Sequence, residues 1–443
     1  FDACAYEEAL RIEDAEVTLL SMGPPCVKDL LLRLTLLGAS RAILLSDNAF
    51  AGADTLATAY MLSLAVKRIK PDLIFCGRQT LIGDTAQVGP MLSVFAETAL
   101  ITNVMSINGI DGHITCNTRS EGEVRTVLPA LLTFERINSL RLPSISSSKG
   151  NVEIWSADDI GADTDKCGLK GSPTRVLDTF ENESGRRKCE FITYDKLDSV
   201  IKDSLMKRRE SVFSSPHSKD RLSNVLIIGE SPRAFAESVC DNITVLPITD
   251  FETLAKQISD IKPDAVLFAG DSVSKRLSSQ VAASLRLGLC ADCTALETDG
   301  RTLYMIRPAL SGSVIARIKS LKSPALASVR TEQDSADIIV AAGYGAKDCL
   351  EQVKRFAENI GAEVAASRKA VDNNLLPYNL QVGLTGKTVS PAVYIAVGIS
   401  GAVHHIVGMN KSGTVIAINP DKSAPIFEYA DYGIVSDFNE LFL

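Results

Sequence analysis

The chain has 443 residues, 46% hydrophobic and 23% charged, with a formal net charge of −8 and a pI near 5.3. An acidic chain of this length buries a large core, forms about three domains, and lacks the basic surface that sequence-independent nucleic-acid binding requires. No apolar run reaches the ~18 residues of a membrane helix, and ten scattered cysteines suit free thiols in a reducing cytoplasm.

The chain opens on Phe1-Asp-Ala-Cys without Met or a signal peptide and turns directly into a helix, Tyr6–Ile12. A strand upstream of that helix is therefore expected to be missing. Asp14–Met22 reads as a strand that Ser21-Met22-Gly23-Pro-Pro25 turns. Cys26–Gly38 has a leucine stripe at helical spacing, and Ala42–Ser46 is a short buried strand. Asp54 caps a helix running to Lys70, and Asp72–Gly77 is a strand ending in a glycine turn. A helix is predicted over Met91–Leu100. Continuous apolar strands alternating with helices specify parallel sheets covered on both faces.

The pattern then recurs. Ile69-Lys-Pro-Asp-Leu-Ile-Phe-Cys-Gly77 matches Ile261-Lys-Pro-Asp-Ala-Val-Leu-Phe-Ala-Gly270. Gln87-Val88 matches Gln280-Val281, each expected to open a helix. Both units then have a strand-rich stretch that reaches Pro-Ala-Leu, at Pro129 and Pro324. This is an internal duplication. A polar helix, Asp198–Arg209, and a Ser-rich segment to Arg221 separate the halves, and Asn224–Gly229 starts the second. A third unit begins at Ala336–Gly343 and continues through a helix over Lys347–Ile360. The predicted fold class is α/β: two related open parallel-sheet domains plus a C-terminal Rossmann-like domain. The boundaries are 1–213 (linker about 210–222), 222–330 and 331–443. Cys290-Ala-Asp-Cys293 is the only pair at metal-like spacing. With no second such pair it reads as two buried thiols after an apolar helix, Val281–Leu289.

Four stretches have the composition of ligand sites. Gly77-Arg78 through Gly83-Asp84-Thr85-Ala-Gln87-Val88-Gly89-Pro90 lies between a strand and a helix, where its N–H groups and Arg78 can hold phosphates. The alternative is a helix entry capped by Asp84. The equivalent Asp271–Ser279 lacks the glycines and reads as structural. Gly343-Tyr-Gly345 also follows a strand, but Asp348 breaks the full dinucleotide fingerprint. Ser367-Arg368 ends a strand, where an Arg can neutralise a ring. Gln381-Val382-Gly383-Leu-Thr385-Gly386 and Gly398-Ile-Ser400-Gly401-Ala402 are glycine turns with hydroxyls, flanking Val393–Val397 and followed by His404-His405. Asn419, Asp421 and Asp437 sit at later strand ends, suited to a ribose or an adenine edge. No nucleophile–His–acid set and no metal-ligand spacing is present among the four histidines, so an organic cofactor is the source of any hard chemistry.

These stretches resemble electron transfer flavoprotein, with a beta subunit (1 to ~213) fused ahead of a shortened alpha subunit (~222 to 443). Ala365-Ala-Ser-Arg368, Gln381–Lys387, Gly398–His405, Ala417-Ile-Asn419 and Asp437 follow the family's FAD pattern. Gly83–Pro90, with Met22 and Gly23, matches its beta-side nucleotide loop, and Gly168–Arg175 matches the segment near that subunit's end. The resemblance implies FAD in the C-terminal domain. Arg368 would lie over the flavin, Thr385 would bond its N5, and His405 would reach O2, each favouring the reduced ring. Ser367, Gln381, Ser400, Asn419 and Asp437 would position phosphates, ribose and adenine, while His404 stands where Gln is common. In ordinary members the beta-side site holds AMP; in electron-bifurcating members it holds a second FAD that accepts hydride from NADH. The Arg78-Gln79 pair and the Gly83–Pro90 loop resemble the bifurcating version, with compact Gly83 and Gly89 leaving space for a diphosphate. The expectation is then a cytoplasmic carrier that sends electrons to an acyl-CoA dehydrogenase and to ferredoxin or flavodoxin. A single-FAD carrier with AMP, or a redox-inactive nucleotide-binding protein, are the alternatives.

Overall fold

Apolar strands separated by helices fold into parallel sheets. The structure, a computed structural model, describes all residues except 1, 81–82, 84, 136–139, 146, 182–185, 211–219, 310–313, 331–335 and 442–443. Two units emerge. One comprises Phe1–Thr179, His217–Arg307 and Ala316–Val329; the other comprises Phe180–Pro216, Pro308–Ile315 and Arg330–Leu443. Among the described residues no helix is long and apolar enough to cross a membrane.

The first unit contains both copies of the duplication, and their equivalence extends to single hydrogen bonds. Leu73–Gly77 pairs in parallel with Ala130–Phe134, as Ala265–Ala269 does with Ala325–Val329. In each copy the next strand bulges at a left-handed residue, Asn103 or Asp292, whose N–H bonds a hydroxyl, Thr133 Oγ1 at 3.2 Å or Ser328 Oγ at 3.0 Å. The helices Val88–Ala96 and Ser272–Leu285 pack together, so Met91, Leu92 and Leu131 share one core with Val281, Ala282 and Leu326.

The first helix spans Asp2–Ala9 rather than Tyr6–Ile12, and the helix expected over Lys347–Ile360 spans Leu350–Asn359, after a tighter 3-10 stretch over Tyr344–Cys349. Three further predicted bounds shift for a local reason. The helix expected over Met91–Leu100 spans Val88–Ala96, because Glu97 turns left-handed and Ala99 begins a strand. Gln280 does not open a helix. Asp271 follows the strand at once and caps Ser272–Leu285 through Val273 and Ser274 N–H, so Gln280 and Val281 lie inside that helix. The helix expected over Val281–Leu289 accordingly ends before Arg286, and Cys290 and Cys293 lie buried on the strand Leu289–Cys293. The cap at Asp54 holds as the sequence indicates. One carboxylate oxygen accepts from Leu56 and Ala57 N–H, and the other accepts from the N–H and hydroxyl of Thr174, anchoring the Gly168–Arg175 segment.

The second unit is a six-stranded sheet, parallel throughout, with order Glu190–Phe191, Tyr432–Ile434, Thr414–Ile418, Val393–Val397, Ile338–Ala342, Glu363–Ala366. Leaving aside the first strand, this is the 2-1-3-4-5 order of a doubly wound fold. In such folds ligands bind at the carboxyl ends of the strands where the winding reverses, which here are Ile338–Ala342 and Val393–Val397. The edge strand Glu190–Phe191 and the helix Leu197–Glu210 come from before the linker, and Leu197 and Ile201 lie in this unit's core. Arg187 secures them. Its guanidinium donates to the Asn410, Ser412 and Gly413 carbonyls at 2.6–3.1 Å and pairs with Asp431, which also accepts from Val415 N–H.

Removing that guanidinium leaves a half-buried carboxylate and three carbonyls without their partner. Arg187→Ala is expected to destabilise the second unit by about 2–4 kcal/mol. The only Trp, Trp155, lies in the first unit and reports its unfolding separately. Chemical denaturation should show an unchanged Trp fluorescence transition and an earlier far-UV transition for the second unit.

Candidate functional site

The crevice at the strand reversal of the second unit is built from backbone meeting backbone. Gly343 N–H bonds the Val397 carbonyl at 2.7 Å, and Gly345 N–H bonds the Gly398 carbonyl at 3.1 Å. A Cβ on Gly343 would stand 2.1 Å from the Gly398 carbonyl oxygen. Gly398 itself has φ +62°, with its Cβ direction 2.6 Å from Ala346 N. The two glycine turns thus lie directly against each other, with no room for a side chain between them. Gly401 turns the chain onward with φ +92°, Ser400 is exposed with its carbonyl accepting from Ile426 N–H, and Ala402 precedes the helix Val403–Met409.

The third turn closes on the same helix. Gln381 N–H and carbonyl bond Tyr378 and Lys387, Gly383 N–H bonds the Lys387 carbonyl, and Gly386 N–H bonds the Gly383 carbonyl. Leu384 N–H donates to the His404 carbonyl at 2.6 Å, and a Cβ on Gly383 would meet that oxygen at 2.7 Å. Val382 is buried against the helix. The Gln381 amide donates to Thr385 Oγ1 at 2.6 Å, and Tyr378 O–H fixes the Thr385 carbonyl at 2.7 Å. Ser367 caps the short helix Arg368–Asp372 through Ala370 N–H. Arg368 pairs with Asp372 at 3.2 Å and lies near enough to His404 to add to the burial that lowers the latter's pKa. The structure therefore brings Gly343, Gly345, Ser367, Arg368, Gln381–Gly386, Gly398–Ala402 and His405 onto adjoining segments of one unit.

His405 is buried, and its Nε2 lies 2.9 Å from the hydroxyl of fully buried Tyr394. Among the described residues Nδ1, also buried, has no hydrogen-bond partner. Burial pushes the ring's pKa down to about 4, partly offset by the Val382 backbone, so the imidazole is neutral at pH 7. Tyr394 and Arg187 are absent from the sequence-based site. The only hint of Tyr394 was a hydroxyl in an otherwise apolar strand.

Asn419 and Asp421 sit apart in role. Asn419 is buried, its amide donating to the Ile399 carbonyl and its oxygen accepting from Asp421 N–H, which ties the Gly398–Gly401 turn to the next strand. Asp421 is exposed and accepts from Ser423, while exposed Asp437 accepts from Asn439 N–H. Two glycine turns locked side by side, an orphaned imidazole nitrogen and a nearby guanidinium together fit the dinucleotide that the resemblance implies.

In the first unit, Met22 and Gly77 end parallel strands, with Gly23 N–H on the Leu45 carbonyl. Arg78 forms a buried ion pair with Glu135 at 2.9 Å. Gly83 N–H bonds Thr80 Oγ1, Thr85 is half-buried, and Asp84 lies outside the described residues. Gln87 is buried, accepting from Thr55 Oγ1 and donating toward the Leu289 carbonyl, and Val88 begins the helix. Gly89 serves packing: its Cβ would stand 2.7 Å from Thr133 Cγ2 and 3.2 Å from Cys76 Sγ. Among the described residues no cluster of three or more His, Cys, Asp or Glu could hold a metal.

The pKa of His405 makes the second unit's stability pH-dependent. The unfolded ring titrates near its ordinary 6.5 and the folded ring near about 4. Between those values the unfolded chain binds more protons, so stability is full above pH 6.5 and falls as pH drops toward 4. By pH 4.5 this ring alone costs roughly 2–3 kcal/mol. Urea denaturation of the flavin-free protein at pH 7 and 4.5 should show that the loss is smaller by this amount in His405→Gln.

Comparison with known proteins agrees with this geometry. Residues 333–410 match the electron transfer flavoprotein FAD-binding domain, and residues 1–160 and 243–357 match the electron transfer flavoprotein domain. The chain is 40% identical over 216 residues to protein FixA of Azorhizobium caulinodans, covering 44% of this chain and 77% of that one. It is 37% identical over 237 residues to the electron transfer flavoprotein subunit alpha of Thermoanaerobacterium thermosaccharolyticum, covering 42% and 72%. To the subunit beta of Clostridium acetobutylicum it is 42% identical over 195 residues, covering 41% and 74%. With a domain match over more than half its length and an FAD-binding domain on the C-terminal sheet, this chain belongs to the electron transfer flavoprotein family.

Proposed function

We propose that this chain is an electron carrier in which a beta-like half, 1–213, is fused to an alpha-like half, 222–443, with FAD held by the C-terminal domain. The observation that carries this is the glycine-lined crevice at the strand reversal, with Arg368, Thr385 and His405 on adjoining segments. Relatives named as subunit alpha and subunit beta each match about two fifths of the chain, which supports the fusion. The Gly343–Gly345 and Gly398–Ala402 turns would present their backbone to the dinucleotide, with Ser367, Gln381, Asn419, Asp421 and Asp437 around it. Bound FAD supplies the redox chemistry itself, accepting electrons in pairs or singly. The protein's part is electrostatic: Arg368 brings positive charge, and Thr385 and His405 bring hydrogen-bond donors, all of which favour a more negative ring.

For the beta-like half we infer a nucleotide site at Met22–Gly23, Gly77–Arg78 and the loop to Gly89. Supporting this, ten residues separate Gly77 from the helix at Val88, whereas the second copy enters its helix at Ser272. The residue pattern of that loop favours a second FAD, with NADH as donor, an acyl-CoA dehydrogenase and ferredoxin or flavodoxin as partners, and electron bifurcation as the activity. The compact Gly89 no longer counts toward diphosphate space, because its missing side chain is needed against Thr133.

Nucleotide release from the denatured protein tests both statements. Two FAD per chain are expected. One FAD with one AMP would leave the carrier and overturn the bifurcating reading, and absence of flavin would overturn both.

A further inference from the structure

Tyr394 lies in the middle of Val393–Val397, fully buried, on the face that packs with Ile406 and Met409. It carries the only polar side chain of that strand. A buried hydroxyl left without an acceptor costs about 1–3 kcal/mol. Among the described residues the partner of Tyr394 O–H is His405 Nε2, at 2.9 Å. A neutral imidazole has one N–H and one lone pair, and the bond made by one nitrogen decides which carries the proton.

The two tautomers are not equivalent here. With the proton on Nε2, the ring would donate to the Tyr394 oxygen. The tyrosine proton would then lack an acceptor among the described residues. With Tyr394 donating, Nε2 is the acceptor and the proton sits on Nδ1. We infer that Tyr394 is a positioning residue that fixes His405 with its proton on Nδ1, so that a neutral N–H is presented at the Gln381–Gly386 turn. For its consequence this rests on the reading of the C-terminal unit as the FAD site: the N–H is a donor for a carbonyl of the bound ring. The strand supplies the hydroxyl and the helix supplies the imidazole. A Phe at position 394 would keep the packing and free the tautomer.

The test uses the full chain labelled with ¹⁵N-histidine. Only four histidines are present, and His405→Gln identifies the signals of His405. Two-bond ¹H–¹⁵N spectra of the flavin-free protein should show Nδ1 protonated and Nε2 bare. In Tyr394→Phe, with unchanged far-UV circular dichroism, the two forms should mix. A wild-type ring protonated on Nε2 would overturn the assignment without any variant. Titration of flavin-free protein with FAD should give a dissociation constant about tenfold higher for Tyr394→Phe, equivalent to ~1.4 kcal/mol. Equal affinities would overturn the positioning role. If the wild type takes up no FAD, the FAD reading fails, while the flavin-free spectra still decide where the proton sits.

Discussion

The site in the second unit depends on one steric constraint: two chain turns at the strand reversal approach so closely that neither can carry a Cβ. Gly343 and Gly345 bond the ends of the neighbouring strand, and Gly398 adopts a left-handed conformation against Ala346. This contact places the start of the 343–349 segment and the Gly398–Gly401 turn side by side at the carboxyl ends of the two central strands. The helix Val403–Met409 follows from the second turn, and its His404 carbonyl fixes the Gln381–Gly386 turn. Three segments distant in sequence are thus locked into one rim by backbone bonds, and the side chains that would meet a cofactor ring are carried on that rim.

The rim is braced from behind. Arg187 holds the carbonyls that follow the Val403–Met409 helix, and the strand Glu190–Phe191 extends the sheet at its edge. Residues that precede the linker in sequence are therefore part of the unit that contains the C-terminal sheet. In the first unit the two copies of the duplication differ at the helix entry. One copy has ten residues between Gly77 and the helix at Val88. The other begins its helix directly after the strand, and the carboxylate of Asp271 occupies the helix start. An anion supplied by the chain itself there leaves no role for a phosphate.

Much of this was legible because its causes are local. Continuous apolar strands, the Asp54 cap and the glycine turns each carry their physical reason within a few residues. The failures have a common origin too. Nothing near Glu97 marks a helix end, since Ala99-Leu-Ile101 continues the apolar run, and a helix read over Met91–Leu100 therefore enters the next strand. The Gln280-Val281 match lies inside a helix because Asp271, nine residues earlier, already caps it. Arg187 acts on carbonyls 223–226 residues away, and Tyr394 acts on a helix after an intervening turn, so neither has a signature in the chain. Gly89 was visible as a glycine, but whether its bareness serves a ligand or a strand depends on Thr133 across the core.

The most direct measurement of the central claim is the FAD content of Gly398→Ala, purified beside the wild type. The added Cβ would enter a left-handed position 2.6 Å from Ala346 N and force the two turns apart, at a cost of at least about 1–3 kcal/mol. The account predicts that the variant loses one equivalent of FAD per chain while the Trp155 unfolding transition of the first unit stays in place. Full retention of the wild-type FAD content would contradict it.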